Sequence, residues 1–269
     1  MEILSLPIMK KKYLIIIVML GVVVWLVGAG CPQQNVGLRS YTVKDPTKTH
    51  YIVVTDTHWY APYGLKITPQ DIPDGDNTLY LGDIYDAYSA KKRDVKEVFE
   101  KIRQLKLAKG ERYLRGNHEL SGLNTFLDQG NEQVQCPNGA SLSALDYTMR
   151  PRASQNPQER ILFLHGHKCI DPHYDPATIK KWETATGGSG GLKRLGLQIA
   201  NVFRPIVTKR PTAQEITNAI RLAVAMHCRT IVFGHTHVGK VFDTQFQEQK
   251  SGATIRVMTV PRGVSHLEL

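Results

Sequence analysis

Histidine, aspartate and asparagine recur at the ends of five short apolar runs in this chain, and together they could hold two metal ions. The run Tyr51 to Thr55 leads into Asp56 and His58, and Leu79 to Leu81 leads into Gly82 and Asp83. Arg112 to Leu114 precedes Gly116, Asn117, His118 and Glu119; Ile161 to Leu164 precedes His165 and His167; Ile231 to Phe233 precedes Gly234, His235 and His237. A lone His-x-His is weak evidence, because most histidines are ordinary core or surface residues. Five such clusters form a constellation. Oxygen and nitrogen donors without cysteine suit Mn, Fe, Zn, Mg or Co in a hydrolytic role. Two divalent ions about 3.5–4 Å apart need a shared anionic ligand, and Asp83 is the candidate. The chain reads as an enzyme.

Such residues need a scaffold that brings distant positions together. Four to six β-branched and aromatic residues bounded by Gly or Asp predict a buried strand, and the loops after such strands bind ligands in open α/β sheets. Lys91 to Lys109 places Val95, Val98, Phe99, Ile102 and Leu105 on one helical face, closing at Gly110. Thr212 to Glu215 forms a capping box that opens a second helix through Ile216, Ile220 and Ala223. That helix leads to the run ending at Gly234, an order that predicts parallel strand pairing. Val241 to Phe246 and Ile255 to Val260 predict a terminal hairpin. Residues 168–211 carry a glycine cluster at 187–191 without P-loop spacing, and read as an inserted cap or lid with a flexible hinge.

The composition is that of a globular protein: 42% hydrophobic and 22% charged. Disorder is excluded. The net charge is +10; residues 1–30 hold three lysines and one glutamate, so the remainder carries +8. A basic surface favours anionic partners such as phosphate esters, acidic headgroups or nucleic acid. The basic residues are scattered, so nucleic acid is expected only as a substrate. Lys10 to Lys12 followed by eighteen uncharged residues, Tyr13 to Gly30, have the polarity of an export signal. Gly28, Ala29 and Gly30 before Cys31 resemble a lipoprotein processing site, the alternative being an uncleaved anchor. Either outcome places the catalytic domain outside the cytoplasm, membrane-associated through residues 1–30 or a lipidated Cys31. Residues 31–49 read as a polar tether and 50–269 as the folded domain. Cys136, Cys169 and Cys228 allow one disulfide or none, with Cys228 expected in the core.

The five motifs, in order, resemble the calcineurin-like metallophosphoesterase superfamily over residues 50–240. Its pattern D-x-H, G-D-x-x-D, G-N-H-D/E, H and G-H-x-H is matched by Asp56 and His58, by Gly82, Asp83 and Asp86, by Gly116 to Glu119, by His165, and by Gly234, His235 and His237. The resemblance implies an α/β fold, a four-layer αββα sandwich with a dimetal site at one edge of its two sheets. It implies that Asp56, His58 and His237 hold the first metal (Mn, Fe, Zn or Mg), that Asp83 bridges, and that Asn117, His165 and His235 hold the second. His118 would then be the general acid, oriented by Asp86, with a metal-bridging hydroxide attacking phosphorus. His167 is an accessory or structural residue, and Trp59 and Tyr60 either wall the substrate pocket or pack. Ala87 and Trp59 depart from the serine/threonine phosphatase branch, so phosphodiester or pyrophosphate hydrolysis is expected over phosphomonoester hydrolysis. The remaining alternative is a non-catalytic anion-binding module, which would be expected to lack a ligand; here every motif position is filled.

Overall fold

Strand alternation determines the architecture. The computed structural model describes residues 48–61, 64–87, 94–119, 134–151, 160–175 and 210–269. In chain order these form β1 (His50–Thr55), β2 (Thr78–Tyr80), α1 (Val95–Lys109), β3 (Val134–Gln135), β4 (Ser141–Leu142), β5 (Tyr147–Pro151) and β6 (Arg160–Leu164). Then follow α2 (Ala213–Ala225), β7 (Thr230–Phe233), β8 (Phe242–Gln247), β9 (Thr254–Thr259) and β10 (Gly263–Glu268). One sheet has the order β10-β1-β2, the other β5-β6-β7-β9-β8, and β3 and β4 make a small hairpin.

Successive residues of a strand point to opposite faces, so a run apolar throughout must be covered on both. In β1, Tyr51 and Val53 join Leu79, Ile161, Phe163, Val232 and Met258 in a core between the two sheets. The alternate residues Ile52, partly buried, and Val54 face α1 and pack with Tyr80, Val98, Ile102 and Leu105. In the second sheet, Leu162, Leu164, Ile231, Phe233 and Val257 face α2 through Ala219, Leu222 and Ala223. The layers are therefore helix, sheet, sheet and helix, the expected αββα order.

The β6-α2-β7 passage joins parallel strands, as its order predicts, and β8 and β9 pair antiparallel. Helix α1 closes at Gly110, whose φ of 56° is left-handed. The Thr212 hydroxyl accepts from Glu215 N at 3.2 Å and the Glu215 carboxylate accepts from Thr212 N at 2.6 Å.

Two elements differ from expectation. The third apolar run makes only a bridge between Tyr113 and Tyr80. Its backbone is already engaged: Tyr113 N donates to Gly110 O at 3.3 Å, and Tyr113 O accepts from Lys106 Nζ at 2.8 Å. Strand β10, polar enough at Ser265, His266 and Glu268 to escape notice, pairs with β1 along its full length. Cys136 and Cys169 form a disulfide, Cα to Cα 5.6 Å, and Cys228 is a buried thiol.

The export or anchor segment 1–30, the tether to residue 47 and residues 176–209 of the insertion, with its glycine cluster, lie outside the described residues. Among the described residues no helix is long and apolar enough to cross a membrane. Lys168 to Asp171 form a turn against the body: Ile170 N and Asp171 N both donate to Gly166 O, and Asn218 Nδ2 donates to Ile170 O.

Candidate metal centre

Every loop that carries an expected ligand leaves the C-terminal end of a strand or extended run and turns at once. Of the seven residues expected to bind metal, Asp56, His58, Asp83, His235 and His237 have positive φ between 48° and 64°. Non-glycine residues avoid that region, and five together mark backbone held against its preference by its surroundings. Two glycines allow the loops to pass. A Cβ on Gly116 would lie 2.1 Å from Asp83 Oδ1, and one on Gly234 would lie 2.2 Å from Thr55 Oγ1.

Glu119 fastens two of these loops together. Its buried carboxylate accepts from Asp83 N (3.1 Å), Ile84 N (2.7 Å), Tyr85 N (3.0 Å) and Gly116 N (3.1 Å), and from the Tyr113 hydroxyl. Burial and the neighbouring Asp83 charge nonetheless raise its pKa to about 7. Sequence reading placed Glu119 in a motif without a task; nothing in its spacing announces five donors.

The structure gathers Asp56, His58 and His237 into one triplet and Asp83, His165 and His235 into another, ligand atoms within 4.8 Å in each. In the first, His237 Nε2 lies 3.1 Å from Asp56 Oδ1 and 3.3 Å from His58 Nε2. The other oxygen of Asp56 accepts from Thr55 Oγ1 and His235 N, which fixes the carboxylate. In the second, His165 Nε2 lies 3.2 Å from Asn117 Oδ1, 3.3 Å from Asp83 Oδ2 and 3.2 Å from His235 Nδ1. Asp83 Oδ2 also lies 4.0 Å from His58 Nε2, so one carboxylate oxygen faces both triplets.

This donor set fits cations. His165 Nδ1 donates to Leu81 O at 2.8 Å, His58 Nδ1 faces Asp86 and His235 Nε2 faces Asp171. The opposite nitrogens therefore point lone pairs at one another and at carboxylate and carbonyl oxygens, a convergence of acceptors that positive charge resolves. Burial drives His58 down to about 4 despite its bond to Asp86, and it also lowers His237, leaving neutral imidazoles of the kind metals bind. Burial opposes charge on His165 too, but Asp83, with Asp56 and Glu119, outweighs it and raises His165 to about 9.

Beside the triplets stands His118, its Nδ1 3.0 Å from Asp86 Oδ1; the second oxygen of Asp86 is 3.3 Å from His58 Nδ1. Burial disfavours the Asp86 charge, yet the two imidazoles hold its pKa well below the usual range. One carboxylate thus orients two histidines with their Nε2 atoms pointing away from it. His167 is buried next to His165, His235 and Tyr174, and neither ring nitrogen has a hydrogen-bond partner among the described residues. Trp59 packs in the α1 core against Tyr85, while Tyr60 is exposed. Arg115, directly before Gly116, pairs through Nε and Nη2 with Asp146, both at 2.8 Å. Arg262, which sequence reading did not single out, donates from Nε to Asp56 O at 3.0 Å.

The model of the calcineurin-like phosphoesterase family matches residues 49–239, and the chain belongs to that family. Among solved structures it is similar to Vacuolar Protein Sorting 29 from Cryptosporidium parvum, with 16% identity, 80% of this chain and 75% of that chain covered, and a TM-score of 0.30. No curated protein sequence matches.

Proposed function

We propose that the chain is a dimetal-dependent phosphoester hydrolase acting by preference on phosphodiester or pyrophosphate bonds. The observation that carries this reading is the convergence of two ligand triplets on Asp83 with His118 immediately beside them. Asp56, His58, His237 and Asp83 would hold one divalent ion; Asp83, Asn117, His165 and His235 would hold the other. When bound, such a pair lowers the pKa of water and neutralises charge on phosphoryl oxygens.

The protein's own groups do the rest. Asp86 keeps the Nδ1 proton of His118 in place, so Nε2 is the atom that hands a proton to the departing oxygen. Its distance of 3.9 Å from Asp83 Oδ2 puts that atom at the edge of the ligand cluster. Arg262 adds a permanent cation at the first triplet, near enough to His237 to oppose its protonation. The preference for a singly charged phosphoryl group rests on two positions among the described residues: Ala87 stands where the protein-phosphatase arginine would fall, and Arg115 is committed to Asp146. Placement outside the cytoplasm, through residues 1–30 or a lipidated Cys31, belongs to this reading as well and rests on the sequence alone.

The test is manganese-dependent hydrolysis of bis-p-nitrophenyl phosphate against p-nitrophenyl phosphate by the full-length chain, with Asp83→Ala alongside. Faster diester turnover, abolished by the substitution, is expected. Faster monoester turnover would reverse the substrate preference, and no turnover by a protein that binds manganese would favour the binding module.

A further inference from the structure

We infer that Asp171 is a positioning residue for the second metal: it holds His235 in the tautomer and orientation that present Nδ1 as the ligating atom. The inference rests on the assignment of His235 to that ion, made above. His235 differs from its fellow histidines. His58 and His165 present Nε2 to the cluster because their Nδ1 atoms face Asp86 and Leu81 O. His235 is reversed, with Nδ1 3.2 Å from His165 Nε2 and Nε2 3.0 Å from Asp171 Oδ2. An imidazole that ligates through one nitrogen needs its proton on the other, and a carboxylate there fixes tautomer and ring plane while raising ligand basicity.

Asp171 is itself held rigidly. Its Oδ1 accepts from His173 N at 2.7 Å, its N donates to Gly166 O at 3.1 Å, and the turn from Gly166 that carries it is bonded to α2 through Asn218. Gly166, with a φ of 115°, lets the chain double back directly after His165. One turn thus supplies the ligand His165 and the carboxylate that orients the ligand His235. Asp171 lies outside the five motifs, and its side chain is 25% exposed, as is appropriate at the rim of a site.

The two oxygens of Asp171 impose a specific consequence on substitution. Asparagine keeps one carbonyl for His173 N, which leaves an NH2 donor facing His235 Nε2. That nitrogen must then accept, its proton moves to Nδ1, and the ligating lone pair is lost. Alanine removes the support without enforcing the wrong tautomer. If Asp171 only packed the turn, the isosteric asparagine would be the milder change; as a tautomer guide, Asp171→Asn is at least as damaging as Asp171→Ala.

The experiment is calorimetric titration of manganese into the metal-free full-length wild type, Asp171→Asn and Asp171→Ala, with melting temperatures of the metal-free proteins measured in parallel. Two sites in the wild type, with only the second weakened about 10- to 100-fold in Asp171→Asn and melting temperatures unchanged, are expected. Two undiminished sites in Asp171→Asn, or a larger loss in Asp171→Ala, would overturn the role of Asp171 while leaving the metal centre intact. Fewer than two sites in the wild type would overturn the assignment of His235 and this inference with it. Should Asp171→Asn fail to fold, the same titration of Asp171→Glu, which keeps an acceptor for His235, replaces it: retention of the second site is expected, and its loss would overturn the role.

Discussion

His118 shares Asp86 with His58, a proposed metal ligand, and that sharing separates two effects that mutation usually mixes. Replacing His118 removes a proton donor but leaves Asp86 to hold His58, so His118→Gln is expected to keep both metals and lose roughly 10²–10⁴-fold in turnover. The loss should shrink on esters whose leaving group needs no proton; a uniform loss across leaving groups, measured by steady-state kinetics, would remove His118 from the role of acid. At this scale the residues that converge in the two triplets were legible because metal chemistry restricts candidate ligands to few residue kinds at fixed offsets. Glu119 and Asp171 were not legible as partners. Their tasks depend on which backbone and ring nitrogens a turn happens to face, and acidic residues are common enough that spacing alone is silent.

The turn after β6 is where several elements are tied to one another. Cys169 is bonded to Cys136 beside the β3-β4 hairpin, Lys168 reaches Asp146 at 2.7 Å, and Asp146 also takes both nitrogens of Arg115. Burial opposes the Asp146 charge, but the two cations outweigh it and hold its pKa below the ordinary 3.8. Because the folded value is depressed, this contribution to stability is complete well above pH 3.8 and is lost as the pH falls below it. Asp146→Asn removes the anion both cations share, at an expected cost of about 3–5 kcal/mol, a fall of roughly 6–20 °C in melting temperature. The gap between the variant and wild type should close in acid; a constant gap down to pH 2, measured by thermal denaturation, would mean that hydrogen bonding rather than charge is responsible. Element prediction succeeded where apolar periodicity was strong, as in β1, β6, β7, α1 and α2. It failed at Tyr113, where Lys106 and Gly110 take the backbone groups a ladder would need, and at β10, whose outward polar residues mask a strand that covers β1.

At the scale of the molecule, the three apolar clusters among the described residues are built from positions between Tyr51 and Leu269. Residues 48–269 alone are therefore expected to fold and to bind the same number of manganese ions as the full chain. Aggregation of that fragment, or loss of a metal equivalent, would show that the first 47 residues pack on the body. The four-layer architecture was legible through family resemblance, and from the residues themselves the α/β class and parallel pairing followed.

The pairing of β1 with β10 also has a consequence in time. His50 and His266 meet across this pair although 216 residues separate them. At roughly 5–20 residues per second of synthesis, the strand that carries Asp56 at its end waits about ten to forty seconds for its neighbour. During that interval the first two ligands are already present, but the sheet that strains their backbone into position is not. A nascent chain has Asp56 and His58 long before it has His237 or the sheet that positions all three, so any metal capture by this triplet belongs to the finished fold rather than to its assembly.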